Sequence, residues 1–263
     1  MNILEEIVAH KKEEVRLRKN QIPQSEVEKS GYCARIPLSL KASLQAEGST
    51  GIIAEFKRQS PSKGIIHPSA DVEPIARAYS QAGVAGMSVL TDLHFFGGEN
   101  GDLIKARKVC SCPILRKEFI IDEYQIFEAK AIGADVILLI ASILDKKQIE
   151  DFAKLAKSLG LEVLFEVHSN EELDKLNNYM DMIGINNRNL ANFIVDIENS
   201  MRLAENVPEG FLKVAESGIH SAQTLVELKK RGFSGFLMGE HFMKQPDPGQ
   251  ACREFIAQVK QLL

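Results

Sequence analysis

Tryptophan is absent from the 263 residues, and no apolar run approaches the roughly 20 residues that a membrane-spanning helix requires. No charge of one sign dominates either. Thirty-two Lys and Arg oppose 36 Asp and Glu, so a net charge of −4 gives no global attraction to nucleic acid or to an anionic membrane. Any anionic partner has to be held by a local cluster. No GxGxxG or GxxxxGK[ST] loop and no HExxH helix occurs, which removes the usual sequence support for a nucleotide cofactor or a catalytic zinc. The cysteines are Cys33, Cys110, Cys112 and Cys252, without a CxxC pair, and Cys110-Ser111-Cys112 is too close for an ordinary disulfide framework. Reduced thiols in a cytoplasmic protein are expected. The stretch from Met1 to Asn20 is charged and helix-like and lacks the apolar segment of a signal peptide. With 44% hydrophobic and 26% charged residues, the composition excludes disorder and collagen.

Short apolar runs of β type recur eight times, each followed by a longer stretch of helical periodicity, the pattern of a parallel sheet with crossover helices. Strands are predicted at Ile52–Lys57, Gly86–Leu90, Pro113–Lys117, Val136–Ile140, Glu162–Val167, Met182–Ile185, Leu212–Ala215 and Gly235–Met238. Helices are predicted at about Val72–Ala82, Asp102–Cys110, Glu123–Ile132, Lys146–Leu159, Glu171–Leu176, Ile197–Ala204, Ala222–Arg231 and Gly249–Leu263. Gly83, Gly133, Gly160 and Gly232 stand where left-handed helix ends are needed, and Asp122, Ser169 and Ser221 where N-caps are needed. Eight such units without a break in composition favour one closed (β/α)8 TIM barrel over an open doubly wound sheet. Residues 1–263 therefore read as one barrel domain. Residues 1–50 form an N-terminal helical extension, with a second helical stretch near Leu38–Gln45, able to cover the bottom or the rim.

In such a barrel, chemistry sits at the C-terminal ends of the strands. Alternation along the first strand puts Glu55 and Lys57 on one side, facing inward at the top, where an ion pair filling the mouth is the plain structural alternative. The third strand ends in Arg116-Lys117-Glu118, the fifth in Glu166-Val167-His168 and the sixth in Asn186-Asn187-Arg188. Carboxylates and lysines converging from four strands on one partly dry pocket shift each other's proton affinities and can act as paired acid and base. Near the last two strands, Glu216-Ser217-Gly218 and Met238-Gly239-Glu240 bring glycine-flanked backbone N–H groups to the common phosphate position of the fold. Phe95-Phe96-Gly97-Gly98 is either a loop tip offering an aromatic ring to a substrate or an ordinary turn. The six histidines show no metal-ligand spacing and read as structural or solvent-exposed, so no metal is expected.

The run Ile53-Ala54-Glu55-Phe56-Lys57-Arg58-Gln59-Ser60-Pro61-Ser62 resembles the first-strand motif of the indole-3-glycerol phosphate synthase family. Val89-Leu90-Thr91-Asp92, Phe95-Phe96-Gly97-Gly98, Ile114-Leu115-Arg116-Lys117-Glu118-Phe119, Leu164-Phe165-Glu166-Val167-His168, Gly184-Ile185-Asn186-Asn187-Arg188-Asn189-Leu190 and Glu216-Ser217-Gly218-Ile219 are similar to its later motifs, in order. The resemblance implies ring closure with loss of carbon dioxide and water from 1-(2-carboxyphenylamino)-1-deoxyribulose 5-phosphate, in tryptophan biosynthesis, without metal or organic cofactor. It implies Lys117 as general acid, Glu166 as acid/base carboxylate, Lys57 as an anion contact and second acid, and Glu55 as a group in dehydration. By the same resemblance Ser60, Asn186, Arg188 and Glu216 position the anthranilate part, Phe96 and Phe119 give apolar contact, and Ser217, Gly218, Gly239 and Glu240 hold the phosphate. Gln59 stands where the family frequently has a small or basic residue, and Glu240-His241 where smaller residues are common.

The expected partner is a small phosphorylated substrate, with no nucleic acid and no membrane; the sequence does not set the oligomeric state, and a monomer is the working expectation. Two rivals remain to be weighed. Phosphoribosylanthranilate isomerase would be expected to use a Cys/Asp pair, yet Cys110 and Cys112 precede the third strand, at the wrong end of the barrel. A non-catalytic phosphate-binding barrel would be expected to lack the lysine and glutamate set.

Overall fold

Residues 3–188 and 195–263 are described in a computed structural model of the chain; Asn189 and Leu190 of the motif quoted above, and Met1 and Asn2, lie outside the described residues. Eight apolar runs form the strands β1 (Ile52–Phe56), β2 (Gly86–Leu90), β3 (Ile114–Lys117), β4 (Val136–Ile140), β5 (Glu162–Val167), β6 (Met182–Asn186), β7 (Leu212–Glu216) and β8 (Phe233–Met238). Each pairs in parallel with its neighbour, and β1 closes onto β8 with Ile53 opposite Leu237, giving the expected closed barrel. The strands are apolar on both faces because each face meets a different layer. Ile52, Ala54 and Phe56 point outward to the crossover helices, whereas Ile53, Leu115, Leu138, Leu164, Val214 and Leu237 fill the barrel interior.

The helices that follow the strands run Val72–Ala82, Asn100–Val109, Tyr124–Ile132, Lys146–Ser158, Asn170–Leu173, Ile197–Glu205, Ala222–Lys230 and Pro248–Leu262. Gly83 and Gly133 end theirs at φ 81° and 97°, a region that costs residues with a Cβ. Ser221 accepts a bond from the Thr224 N–H as an N-cap should. Asp122 instead accepts from the Tyr124 N–H one residue ahead of the cap position, and Ser169 occupies its cap without such a bond. The helix after β5 stops at Leu173, short of the expected Leu176, because the bonds of Asp174, Lys175 and Leu176 tighten to i→i−3 spacing. A small antiparallel ribbon pairs Gln59–Ser60 with Gly64–Ile65 beyond β1. No described helix is long and apolar enough to cross a membrane.

The N-terminal extension serves both ends of the barrel. At the bottom, the helix Leu40–Gln45 inserts Leu40 and Leu44 into the interior layer, while the Lys41 N–H bonds Glu162 at the start of β5. At the top, helix α1 (Ile3–Gln21) lays Ile3, Leu4 and Ile7 against the mouth beside Phe96 and Phe119. Its buried residues Ile7, Lys11 and Val15 recur every four positions and so share one face. Lys11 is fully buried there, 2.9 Å from Asp92, 3.0 Å from Glu118 and 2.9 Å from Glu14. Burial disfavours its charge, but these carboxylates outweigh that and raise its pKa; Lys11 and Arg116 in turn hold Glu118 below the usual carboxylate range despite its burial. Removing the cation strands the buried Asp92 and leaves Glu118 to Arg116 and Thr91, so Lys11→Met is expected to cost about 3–5 kcal/mol of stability in denaturant unfolding.

Candidate active site

Alternation along the strands selects what faces the mouth. Beyond the interior leucines and valines the next inward position is Glu55 on β1, Ser88 on β2, Lys117 on β3, Glu166 on β5, Asn186 on β6 and Glu216 on β7, whereas β4 contributes only the apolar Leu138 and Ile140. Arg116 and Glu118, flanking Lys117, point outward instead: Arg116 is fully buried 2.9 Å from Glu128 and donates to the Gln125 carbonyl.

The inward groups form one connected set. Lys117 Nζ lies 2.8 Å from Glu166 Oε2 and donates to Glu216 Oε2 across the barrel. Glu166 Oε1 accepts from Asn186 Nδ2 at 3.2 Å, and Lys57 Nζ lies 2.7 Å from Glu55 Oε1. Both carboxylates around Lys117 are almost fully buried. Burial opposes their charge, but Lys117 and His168 hold Glu166 down to about 2, whereas burial, reinforced by the Glu166 charge, pushes Glu216 up to about 8. Lys117 resists desolvation because Glu166, Glu216 and Glu55 surround it, which drives its pKa well above the ordinary lysine value. At neutral pH the cluster is thus an ammonium between one carboxylate and one carboxylic acid, a proton donor and an acceptor within hydrogen-bond reach.

One pocket is lined by every residue that the resemblance assigns to catalysis, substrate or phosphate: Glu55, Lys57, Ser60, Phe96, Lys117, Phe119, Glu166, Asn186, Arg188, Glu216, Ser217, Gly218, Gly239 and Glu240. One wall is apolar, with the Phe96 and Phe119 rings 5.9 Å apart and Ile3, Leu4 and Ile7 of α1 beside them. At the opposite rim, Ser217 and Gly218 have φ of 66° and 73°; Ser217 is the only non-glycine with positive φ among the described residues, and Asn187 Nδ2 pins its carbonyl at 2.6 Å. Strain held this way concentrates where a ligand needs the backbone. The Glu240 carboxylate does not face an anion site alone, since it sits 3.4 Å from both Arg188 and Lys63. Gln59 Nε2 donates to the His94 carbonyl at 3.1 Å, outside the charged set. Cys110 and Cys112 lie ahead of β3, at the other end of the barrel, as the sequence reading required. Among the described residues, no cluster of His, Cys, Asp and Glu is arranged to hold a metal ion.

Several contributors escaped the sequence reading. His220 and His241 line the pocket, and His168 lies 3.4 Å from Glu166, placements that the expectation of structural or solvent-exposed histidines did not specify. Gly184 is another: an added Cβ would stand 2.3 Å from Glu216 Oε1. Gly184→Ala must displace Glu216 from Lys117, and a misplacement of this size is expected to lower kcat about tenfold to a hundredfold. Steady-state kinetics beside a thermal melt checks it, the melt staying near that of the parent chain.

Comparison with known proteins agrees with this geometry. The family model described as indole-3-glycerol phosphate synthase matches residues 4–255. The indole-3-glycerol phosphate synthase of Bacteroides thetaiotaomicron is 47% identical over 259 residues, covering 98% of this chain and 99% of that protein. The namesake from Carboxydothermus hydrogenoformans is 43% identical over 262 residues, covering 97% and 99%. Among solved structures, a tryptophan synthase alpha-subunit from Pyrococcus furiosus superposes with a TM-score of 0.60 at 13% identity, covering 80% of this chain and 98% of that one. The tryptophan synthase subunit alpha of Legionella pneumophila gives 0.61 at 13% identity over 84% and 95%; such likeness speaks for the barrel fold alone. With the family model spanning nearly the whole length and full-length relatives at 43% and 47% identity, the chain belongs to the indole-3-glycerol phosphate synthase family.

Proposed function

We infer that the mouth of the barrel performs the reaction of this family, a carbon–carbon lyase step of tryptophan biosynthesis in which 1-(2-carboxyphenylamino)-1-deoxyribulose 5-phosphate gives indole-3-glycerol phosphate, carbon dioxide and water. The observation that carries the assignment of roles is the Lys117 ammonium held between Glu166 and Glu216, beside an apolar wall and opposite the Ser217-Gly218 turn. The aryl ring lies against Phe96, Phe119 and the first turn of α1. The phosphate is received by backbone N–H groups at Ser217, Gly218, Gly239 and Glu240, with Lys57 near it, while Ser60, Asn186, Arg188 and Glu216 orient the anthranilate carboxylate.

In this arrangement the ring carbon bearing the carboxylate attacks the substrate's carbonyl carbon, and Lys117 gives the carbonyl oxygen its proton, so no alkoxide charge is left in a dry site. Carbon dioxide then leaves, and its bonding electrons restore the aromatic ring. The new hydroxyl departs as water with a proton from Lys57, while Glu55 takes a proton from the neighbouring carbon. The proton taken by Glu55 returns to its neighbour Lys57, and Lys117 regains from solvent, relayed by Glu166, the one proton that loss of carbon dioxide from a carboxylate consumes. Binding of both anionic ends fixes the chain in the bent form that cyclisation requires. Residues 1–263 act as one barrel domain, residues 1–50 being its extension, in a monomeric cytoplasmic enzyme that uses no metal.

A pH dependence follows from Glu216. As an acid up to about 8 it can donate to the substrate carboxylate; once ionised it repels it. KM is therefore expected to rise above that pH in the parent chain and to stay flat in Glu216→Gln. The function is tested by incubating chelator-treated protein with the substrate and measuring carbon dioxide and indole product together. Equal release of both is expected. An isomerised sugar without carbon dioxide would sink the assignment.

A further inference from the structure

Outside the set that touches substrate, His168 has no assigned task. His168 continues the inward alternation of β5 two residues past Glu166, and its imidazole stands between two carboxylates. Nε2 is 3.4 Å from Glu166 Oε1, and Nδ1 is 3.7 Å from Glu172 Oε2 on the helix that follows β5. Glu172 is itself fixed, because its Oε2 accepts the His168 backbone N–H at 2.6 Å. Both ring nitrogens are buried and neither has a hydrogen-bond partner among the described residues, so what holds the ring is its charge contact with the two carboxylates. We propose that His168 is a positioning residue for Glu166, an imidazolium at the centre of a Glu166–His168–Glu172 line that fixes Oε1 and leaves Oε2 to Lys117.

The groups facing His168 from neighbouring elements agree on its charge. Glu166 on its own strand, Glu172 on the next helix and Glu216 across the barrel all favour the protonated form, and together they overcome the burial that opposes it. Lys117, the cation paired with Glu166, is also taken up by Glu216. Lys175, near Glu172, is turned to the carbonyl oxygens of Ala141 and Leu144. A cation 3.4 Å from Glu166 keeps that carboxylate ionised as the pH falls, so its loss raises the proton affinity of Glu166. The inference rests on Glu166 being the acid/base carboxylate.

The test is the pH profile of kcat/KM for His168→Gln, His168→Lys and the parent chain, with Glu166→Gln as reference. In His168→Gln the acidic limb is expected to move up by about one pH unit, with KM nearly unchanged. His168→Lys, which restores a cation, is expected to bring the limb back. A limb that stays in place in a folded His168→Gln overturns the proposal, as does a shift that His168→Lys fails to reverse. Histidine NMR of the parent chain gives a second reading should the variants not fold. One of the six imidazoles is expected to titrate above the ordinary histidine range and to fall in Glu166→Gln; no such response overturns the proposal. Full turnover in Glu166→Gln would remove the assignment of Glu166 itself, and the proposal with it. Lost turnover there combined with an unmoved limb in His168→Gln would remove the proposal alone.

Discussion

Lys117→Ala is expected to lower kcat by about three orders of magnitude, the upper part of the range for a positioned acid. Two losses combine. The substrate carbonyl loses the ammonium that donates its proton, and the charge that holds Glu166 ionised beside Glu216 disappears. The two carboxyls then share a proton, so Glu166 also fails as a base. Because the apolar wall and the Ser217-Gly218 rim are untouched, KM should change only a few-fold. Circular dichroism beside steady-state kinetics separates this outcome from unfolding. A variant that keeps a tenth of its kcat would move the carbonyl acid elsewhere, with Lys57 the next donor in the pocket.

Glu166→Gln is expected to lose about a hundredfold to a thousandfold in kcat, with little change in KM. Its amide fills the same space, and the side-chain oxygen can still accept from Lys117 or Asn186, so the geometry survives and only the capacity to carry a proton is lost. The loss should persist at every pH, unlike that of His168→Gln, which should be recovered as the pH rises. Near-normal turnover in Glu166→Gln would reduce the carboxylate to a counter-ion for Lys117.

How these residues meet was legible in the sequence to the extent that one rule governs it. Period-two alternation in strands of known direction is enough to turn Glu55, Lys117, Glu166 and Glu216 into one mouth and to send Arg116 outward. The same rule extends to His168, whose place in the alternation, not any metal-ligand spacing, brings it to Glu166. Gly184 carried no local signal: its missing Cβ matters only because the Glu216 side chain lies across it from the next strand. Lys11 was unreadable for a related reason. A lysine in a charged amphipathic helix reads as solvated, and only Asp92 and Glu118, from elements some 80 to 107 positions further along, explain its burial. Their ion pairs also decide where the extension lies, with α1 at the mouth and its apolar first turn in the pocket.

The central claim is that this mouth closes an indole ring by proton transfer through Lys117. The absence of tryptophan makes the direct measurement simple, since newly formed indole, excited beyond the band of the four tyrosines, emits with no indole background from the protein. Chelator-treated protein mixed with 1-(2-carboxyphenylamino)-1-deoxyribulose 5-phosphate should show indole emission rising with turnover, and Lys117→Ala at the same concentration should show almost none. A flat trace with the parent chain despite tight substrate binding, or a rise that Lys117→Ala retains in full, would contradict the account.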